Sequence, residues 1–404
     1  MKRSIGLLAL ALTVLLFGFT TPAPAQSSPA KGTVIIPESS QPHPGSISTN
    51  VEIFMPDAVE PGSYPPGENP ASLACVYNLV KQTKGCPTSS TYFPSGGANA
   101  IAVTEIDANP DAASDIAAFA KAFGYPTPNL QIVCVPSGYT CHSNADTGWD
   151  LETSLDIEYS FSMAPKATIY LVEDSSDDGN APFTAVQEAA SLVAAAGGGE
   201  VSNSWIYYGE FDGETSYDKY FQENTVVFFA ASGDGGAGVG YPCTSPDVVC
   251  AGGTQINRNG SGNFTSESGW SGAGGGDSIY EKRPTWQNVI KKIVKGYRGT
   301  PDISADSSTS SAVAIYCETY CGGWCEVAGT SVASPTLAGI VNAAGTFNTS
   351  STAENTELYK EYGVTGHNYK KLFRDITTGG NGYGCKTGWD FCSGIGSDLT
   401  YKGK

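Results

Sequence analysis

The order of apolar segments along the chain is the feature that most restricts its fold. Between residues 100 and 231, short apolar runs typical of buried strands alternate with longer amphipathic runs typical of helices. Because such alternation builds a parallel sheet with helices on its faces, we predict an α/β fold. Residues 255–325 are rich in Gly, Ser and Asn and predict loops and short strands over one side of the sheet. The predicted strands are Ala100–Ile106, Ala167–Glu173 and Thr225–Ala231, and the predicted helices are Asp111–Phe123, Leu151–Ala164 and Phe183–Ala196.

Two segments precede this pattern. Residues 1–25 combine two basic residues, an apolar run and the small-residue site Ala23-Pro24-Ala25, which is typical of a signal peptide and predicts a secreted, extracellular protein. A membrane anchor is the alternative, but the run is shorter than the ~20 apolar residues that span a bilayer. Residues 26–70 are rich in Pro, Ser and Gly and predict an extended leader or tail, so one large domain is expected over residues 71–404.

The charge balance argues against two classes of partner. The chain has 40 acidic and 22 basic residues, with a formal charge of −18 at pH 7. Nucleic acids and anionic membranes repel such a chain, so neither is expected to bind. The same excess of carboxylates tolerates an acidic medium, where protonation lowers their mutual repulsion.

Eleven cysteines in an exported chain predict disulfides. Four couples would close short loops, and they are Cys75 with Cys86, Cys134 with Cys141, Cys243 with Cys250, and Cys385 with Cys392. Cys317, Cys321 and Cys325 remain, from which one more bridge and one free thiol are expected. A zinc site in this trio is the alternative, but no histidine lies near it.

The string AGTSVASPTLAGIVNAAG places Ser331 at the start of an alanine-rich segment that predicts a helix. A serine at this position lies in the positive field of a helix N-terminus, which suits a nucleophile. An ordinary helix cap is the alternative, since Ser and Thr are preferred there. None of His43, His142 and His367 has the sequence context of a triad base. An imidazole of pKa about 6.5 would also be only ~0.3% neutral at pH ~4, whereas a carboxylate stays partly ionised.

Three carboxylates stand out as partners for this serine. Glu152 and Asp156 are one helical turn apart in GWDLETSLDIEYSFSMAP, so they share a face and can titrate as a coupled pair. A solvated acidic helix face is the alternative. Asp234 follows an apolar strand in ASGDGG, where a protonated carboxyl could donate to an oxyanion. Its alternative role is that of a turn aspartate.

Taken together, these strings resemble the sedolisin family of serine-carboxyl peptidases, which includes the kumamolisins. The matches follow the family's order and span about residues 71–398, including ACVYNL, YPCTSPDVVCAGGT, WSGAGGG and TPDISA. The resemblance implies a subtilisin-like sheet, protein or peptide substrates, and either endopeptidase or tripeptidyl-peptidase action. The implied roles are nucleophile for Ser331, base for Glu152, orienting partner for Asp156, and oxyanion donor for Asp234 with the Ser331 N–H.

The same resemblance implies supporting residues and a metal site. Glu105 and Trp205 match positions that extend the hydrogen-bonded chain in some members, with structural support as the alternative. The stretch FRDITTGGNGYGCKTGWDFCSGIG resembles the family's calcium loop and predicts one structural Ca²⁺, with a plain glycine-rich loop as the alternative. Its implied ligands are the carboxylates of Asp375 and Asp390 and the carbonyls of Ile376, Lys386 and Gly388.

Two departures from the family and two rival functions remain. Lys386 stands where the family usually has glycine, and only about 45 residues follow the predicted signal peptide where the family carries a long folded prosegment.

One rival is a subtilisin-type serine protease that uses His142. The other is a secreted binding protein that keeps the fold without turnover. The chain is expected to be a monomer.

Overall fold

The computed structural model describes residues 32–43, 45–56, 64–136, 140–141, 148–174, 181–363 and 368–403. The predicted signal peptide, His142 and His367 lie outside these residues. The strands are β1 (Gly32–Ile35), β2 (Ile47–Thr49), β3 (Glu52–Pro56), β4 (Ala100–Glu105), β5 (Asn129–Val135), β6 (Thr168–Asp174), β7 (Gly199–Asn203), β8 (Trp205–Tyr207), β9 (Val226–Ala231), β10 (Val249–Arg258), β11 (Phe264–Gly269), β12 (Gly276–Lys282), β13 (Tyr297–Thr300), β14 (Ile303–Asp306), β15 (Val313–Cys317), β16 (Gly323–Ala328), β17 (Phe373–Arg374) and β18 (Ser397–Asp398). The helices are α1 (Pro70–Val76), α2 (Ala112–Phe123), α3 (Trp149–Met163), α4 (Ala181–Ala195), α5 (Lys291–Val294), α6 (Glu318–Cys321), α7 (Thr330–Ala344), α8 (Ser351–Gly363) and α9 (Tyr369–Leu372).

An eight-stranded sheet forms the centre of the fold, in the order β11-β10-β9-β7-β4-β6-β5 with β14 beside β10. The strand pairs are parallel except that of β10 with β11. The α/β prediction is therefore confirmed, and each of the six predicted segments matches an observed element to within two residues. Residues 255–325 do contain short strands, but β11 and β14 lie within the main sheet rather than over it.

The sheet separates two hydrophobic cores. Ile101 and Val103 of β4 face the larger core, which holds α2, α3 and α7, whereas Ala100 and Ala102 face a second core against α4. Neighbouring strand residues point to opposite faces, so a continuous apolar strand serves both cores. This explains why the strands are uniformly apolar rather than alternating.

Helix α3 is buried on every side, and its polar residues therefore face protein rather than water. It packs against α7 at Gly339, where an added Cβ would lie 2.5 Å from the Cβ of Met163. Only a residue without a side chain allows this approach, which holds the acidic face of α3 beside the start of α7. The helix ends at Met163, two residues before Pro165, as a proline demands.

The described part of the N-terminal segment is paired with the domain. Strand β3 lies between β1 and β16, and β2 pairs antiparallel with β8. The register joins Thr49 to Trp205 and Glu52 to Ala328, so the segment crosses from one strand of the domain to another at residues 50 and 51.

The predicted disulfides are confirmed. All four predicted couples are bonded, and the fifth bridge joins Cys321 to Cys325 and leaves Cys317 as a buried free thiol. A zinc site in the late trio is excluded in this state because two of its three sulfurs are in a disulfide. Within the described residues, no helix is both long and apolar enough to cross a membrane.

Candidate active site

The candidate residues meet at the carboxyl ends of the central parallel strands, the edge where α/β sheets usually carry their sites. Glu105 is the last residue of β4, Ser204 follows β7, and the turn with Asp234 follows β9. Ser331 lies in the first turn of α7, opposite these strand ends.

Ser331 is fully buried and is held from two directions. Its hydroxyl donates to the carbonyl of Ser204 at 3.3 Å, and its backbone N–H donates to the carbonyl of Asn50 at 3.2 Å. The preceding Gly329 has φ of +120°, a conformation that favours glycine, and it starts α7 so that this N–H is free of the helix ladder. The side chain of Ser331 caps no helix amide, so the capping alternative does not describe it.

Glu152 and Asp156 are both fully buried, so the solvated-face alternative is wrong. Burial raises the pKa of Glu152 well above its ordinary value, and the charge of Asp156 raises it further. The hydroxyl of Ser331 and the backbone N–H of Asn50 lie close enough to lower this pKa, although neither makes a hydrogen bond of good geometry with Glu152 here. A buried carboxylate that faces the serine hydroxyl has the position of a general base.

Asp156 is linked to two further polar residues. Its Oδ1 accepts a hydrogen bond from the hydroxyl of Ser204 at 2.7 Å. Burial raises the pKa of both Asp156 and Glu105, and the charge of Asp156 raises that of Glu105 further. Neither carboxyl oxygen of Glu105 makes a hydrogen bond of good geometry here, but the closeness of the two groups favours a protonated Glu105, because two charged carboxylates would repel each other. Asp156 thus lies near both Glu105 and Glu152, and its charge raises the pKa of each.

Asp234 is partly buried and is fixed by Thr330. Its Oδ1 accepts from the backbone N–H of Thr330 at 2.8 Å and from its hydroxyl at 2.9 Å. Its Oδ2 is buried and has no partner among the described residues, and desolvation raises its pKa well above the ordinary range. A Cβ placed on Gly329 would lie 2.0 Å from the Asn50 carbonyl oxygen and 2.6 Å from Asp234 Oδ2, so both oxygens gather over this glycine.

Trp205 is not bonded to these carboxylates. Its indole N–H donates to the hydroxyl of Thr104 at 3.0 Å, and its ring packs edge-on against Phe183 in the second core. Thr104 and Glu105 are neighbours in β4 and so point to opposite faces of the sheet. The sequence match placed Trp205 with Glu105, but the indole is bonded to the residue on the other face.

Sequence reasoning missed Ser204, Thr330, Gly329 and Asn50. Ser204 precedes Trp205 in SNSW, and Thr330 precedes Ser331 in GTS, so their adjacency to matched residues was an available signal. Gly329 carries a weaker signal, as one glycine among 49. For Asn50 the sequence offers no signal, because its contacts join residues that are far apart in the chain.

An extended segment of the chain runs between Ser204 and Ser331. Residues 47–49 pair antiparallel with β8, and residues 52–54 pair antiparallel with the end of β16, just before Ser331. Between these pairings lies Asn50, whose side-chain amide donates to the Ser204 carbonyl at 3.2 Å. The cleft can therefore hold an extended peptide by backbone pairing on both sides of the serine.

The candidate calcium loop brings its two aspartates together near Tyr369. Asp375 accepts from the Gly388 N–H at 2.9 Å and from the Tyr369 hydroxyl at 3.3 Å, while Asp390 accepts from the Ser393 N–H at 2.9 Å. Burial raises the pKa of Tyr369, and the charges of both aspartates raise it further.

Lys386 does not have the positive φ that would require glycine, so it fits the backbone at this position. Both aspartates lie near Tyr369, and the loop thus offers the carboxylate and carbonyl oxygens that a hard cation prefers.

The fold and the residues around Ser331 define a class of α/β protein in which a buried serine lies beside buried carboxylates. Within that class, the chain is similar to sedolisin from Pseudomonas sp. strain 101, with 27% identity over 82% of this chain and 60% of the relative. It is also similar to kumamolisin from Bacillus sp. strain MN-32, with 29% identity over 76% of this chain and 60% of the relative. The chain is thus similar to sedolisin and kumamolisin over most of its length, as the motifs indicated, and it spans about 60% of the length of these curated relatives.

The solved structures support the same fold. Pseudomonas sedolisin, a serine-carboxyl proteinase complexed with two molecules of pseudo-iodotyrostatin, superposes with a TM-score of 0.66 at 23% identity. The match covers 83% of this chain and 96% of that chain. No protein-family model matches the sequence.

Proposed function

We propose that this chain is a secreted serine-carboxyl peptidase that cuts peptide bonds of proteins in an acidic medium, through an acyl-enzyme on Ser331. The observation that carries the proposal is the pair of contacts at Asn50, whose carbonyl accepts from the Ser331 N–H and lies beside Asp234 over Gly329. A substrate carbonyl in this place would lie next to the nucleophile and to both oxyanion donors.

In the proposed reaction, the hydroxyl of Ser331 attacks the substrate carbonyl while Glu152 takes its proton. Glu152 then gives this proton to the leaving amine, and the same residue activates the water that hydrolyses the ester. The charge of Asp156 raises the affinity of Glu152 for the serine proton, and a protonated Glu105 lies beside Asp156 without adding a further charge. The hydrogen bond from Ser204 to Asp156 connects these carboxylates to the start of β8, beside the proposed substrate cleft.

The oxyanion that forms would be stabilised by two donors. One is the backbone N–H of Ser331, and the other is the carboxyl of Asp234 in its protonated form. Thr330 fixes Oδ1 of Asp234 with two hydrogen bonds, which leaves Oδ2 to carry the proton. A carboxyl can do this only below its own pKa, and burial raises the pKa of Asp234.

An acidic working range follows from these requirements. Asp234 and Glu105 must be protonated, while Glu152 must accept a proton, and a coupled row of buried carboxylates can hold such a mixed state below neutral pH. Within the described residues the histidine is His43, an exposed residue of the N-terminal segment, so the described site has no imidazole base. Secretion is supported by the five disulfides, which persist in oxidising compartments.

We favour endopeptidase over tripeptidyl-peptidase action. Counted back from Asn50 as the first residue, the segment in the cleft continues beyond the third. The fourth, Ile47, is paired with Tyr207, and the carbonyl of the fifth, Ser46, accepts from the Tyr208 N–H at 3.4 Å. A cleft that removes tripeptides must end after three residues, whereas this one accommodates at least five.

The calcium loop is proposed to hold one structural Ca²⁺. Asp375 and Asp390 would supply the carboxylates, and Ile376, Lys386 and Gly388 would supply carbonyls. When bound, the ion would neutralise the two acidic groups and stabilise a loop that the Cys385–Cys392 bridge already closes. It would have no part in the chemistry at Ser331.

Hydrolysis of an unfolded protein from pH 3 to 8 tests the proposal, with the acid-incubated chain compared with Ser331→Ala. Ser191→Ala, which changes an exposed serine on α4, is the matched control. We expect an acid optimum that Ser331→Ala abolishes and the control retains. Equal rates for wild type and Ser331→Ala at every pH would reject the proposal and favour the binding-protein alternative.

A further inference from the structure

One short segment of this acidic chain is strongly basic. Residues 282–298 contain six of the 22 lysines and arginines and no aspartate or glutamate, in a chain with a formal charge of −18. Arg298 is buried, whereas the four lysines of the segment are exposed and Arg283 is half-buried. The five basic residues at the surface are Lys282, Arg283, Lys291, Lys292 and Lys295.

The segment folds into one small lobe. It leaves β12, passes through a 3₁₀ helix and α5, and returns along β13. Lys282 pairs with Tyr297 across the two strands, and the N–H of Arg283 donates to the Gly296 carbonyl at 3.0 Å. The two ends of the segment therefore meet, and we call residues 282–297 the basic lobe.

The inner side of the basic lobe is fixed to the protein core. Trp286, Ile290 and Val294 are spaced four residues apart, and all three are buried in the larger core. The guanidinium of Arg298 lies 4.7 Å from the centre of the Trp286 ring and donates to Asp302 at 2.7 Å. Because its inner row is packed, the lobe presents a fixed outer surface.

That outer surface also carries apolar side chains. Val289, Ile293 and Tyr297 are 52%, 39% and 47% exposed, respectively. Val289 and Ile293 are four residues apart, so they form a second apolar row, which the core does not use. Exposed apolar side chains among lysines are typical of proteins that lie on anionic membranes, where lysines meet headgroups and apolar groups enter the acyl boundary.

The net charge of the whole chain does not prevent such contact. At an ionic strength of ~0.1 M, exposed charges more than ~10 Å apart are largely screened, so the charges of the lobe itself dominate. Asp277 lies close enough to Lys295 for this lysine to lower its pKa, although burial raises that pKa more. Within the described residues, none of the basic side chains of the lobe forms an ion pair.

We infer that the basic lobe docks on an anionic lipid surface and holds the chain there. An acidic polymer in water would match the lysines but would leave Val289, Ile293 and Tyr297 exposed, so the lobe fits a lipid surface better. This inference goes beyond the proposed peptidase function and does not depend on it.

The lobe lies apart from the candidate active site. Gly274, just before β12, donates its N–H to the Gly233 carbonyl at 2.7 Å, beside the turn that carries Asp234. The seven residues of β12 then extend about 20 Å before the lobe begins. Substitutions on the outer surface of the lobe should therefore leave the hydrolysis of a soluble peptide unchanged.

Cosedimentation with lipid vesicles tests the inference on the full-length Ser331→Ala chain, which keeps the result independent of any peptidase activity. The vesicles contain phosphatidylcholine alone, or phosphatidylcholine and phosphatidylglycerol in equal parts. We expect binding to the mixed vesicles that weakens with added salt, and little binding to phosphatidylcholine alone.

Removal of the lobe's charge should abolish most of this binding. The triple variant Lys291→Gln, Lys292→Gln, Lys295→Gln should lower the partition coefficient by about 10²-fold, because each lysine near an anionic bilayer contributes about fivefold. Its matched control makes the same change in net charge at three exposed lysines elsewhere and should bind as the parent chain does. The control substitutions are Lys84→Gln, Lys121→Gln and Lys166→Gln.

A further variant isolates the apolar contribution. Ile293→Ser should lower binding to the mixed vesicles by about tenfold without a change in charge, because it removes apolar area that would enter the bilayer. Circular dichroism and Tm establish that each variant is folded. With Ser331 restored, the triple lysine variant should hydrolyse a soluble peptide at the wild-type rate.

Equal binding by the triple lysine variant and its control would overturn the inference, as would equal binding to the two kinds of vesicle. Capture by polyglutamate or DNA without binding to the mixed vesicles would assign the lobe to an acidic polymer and also overturn it. The expected vesicle binding in a chain that hydrolyses no peptide would support the inference while rejecting the proposed peptidase function.

Discussion

Asp234 accepts two hydrogen bonds from Thr330, one from its backbone N–H at 2.8 Å and one from its hydroxyl at 2.9 Å. Both bonds end on Oδ1, so the carboxyl is fixed in orientation while Oδ2 stays unpartnered. Asp234, the proposed oxyanion donor, is thereby fixed to the residue next to Ser331, the proposed nucleophile, at the start of α7.

The first prediction concerns this donor. Asp234→Ala should lower kcat by about 10²- to 10³-fold with a small change in KM, because the lost donor acts mainly in the transition state. Asp234→Asn keeps an acceptor for Thr330 and a donor that cannot ionise, so it should retain more activity and extend it to higher pH. Steady-state kinetics from pH 3 to 8 measure this, and an Asn variant as inactive as the Ala variant would contradict it.

A second prediction concerns the space over Gly329. In Gly329→Ala the new Cβ would occupy the place of the substrate carbonyl, where Asn50 O lies 2.0 Å away, and would also crowd Asp234. We expect kcat/KM to fall by about 10²-fold or more, since positioning errors of about 1 Å can cost this much. Gly322→Ala is the matched control, because Gly322 also has a positive φ, of +66°, but faces open space.

Both variants bear the backbone strain of a positive φ, about 1–3 kcal/mol, and Gly329→Ala adds the clash with Asn50 O and Asp234, so its Tm should fall further than that of Gly322→Ala. A loss of activity that is equal in Gly322→Ala and Gly329→Ala would show that strain, not the occupied space, is responsible.

The third prediction is that stability falls as pH rises. Burial, as the largest cause, raises the pKa of Glu173 and Glu281 to about 8 and that of Glu326 to about 7. A carboxyl whose pKa is raised on folding stabilises the fold fully below its unfolded pKa of about 4.3, and this contribution is lost as pH rises toward the folded value. We expect Tm to fall by roughly 5–10 °C between pH 4 and pH 8.

Glu173→Gln supplies the check by scanning calorimetry, because Gln stays uncharged. Its Tm relative to wild type should rise with pH between 4 and 8, whereas Glu223→Gln, at an exposed position, should follow wild type. A wild-type Tm that increases over this range would contradict the account of the buried carboxylates.

The fourth prediction concerns calcium. Removal of Ca²⁺ by a chelator should lower Tm, and added Ca²⁺ should restore it in proportion to the logarithm of its concentration. Asp390→Asn should lose this response because one ligand charge is gone, while Asp212→Asn, in an exposed loop, should keep it. A chelator effect of equal size in Asp390→Asn and wild type would place any calcium elsewhere.

The sequence predicted the parts of the site that depend on local pattern. Helical spacing placed Glu152 and Asp156 on one face, and the resemblance to the sedolisins pointed to Asp234 and Ser331. The sequence could not show that α3 is buried on all sides. Its apolar residues form one narrow row, which is also the pattern of a helix with one face in water. The close crossing at Gly339 became visible only with the packed helices.

The remaining features depend on long-range pairing. Glu105 lies in β4 and Trp205 in β8, which do not pair with each other, and the face that each side chain takes is set by the register of β4 with β7 and of β8 with β2. The placement of Asn50 requires Thr49 to pair with Trp205 and Glu52 with Ala328, contacts that no local pattern specifies. The Pro-, Ser- and Gly-rich composition of residues 26–70 predicted an extended leader or tail, and no local pattern in it indicated these strand pairings.

The most direct test of the central claim, that a carboxylate rather than a histidine is the base for Ser331, is the pH profile of kcat/KM for acid-incubated wild type, Glu152→Gln and His142→Ala. Glutamine keeps the shape of Glu152 but cannot take the proton, so we predict a loss of about 10³-fold in Glu152→Gln and a wild-type acid profile in His142→Ala. Substantial activity in Glu152→Gln, together with its loss in His142→Ala, would contradict the account and establish a histidine triad instead.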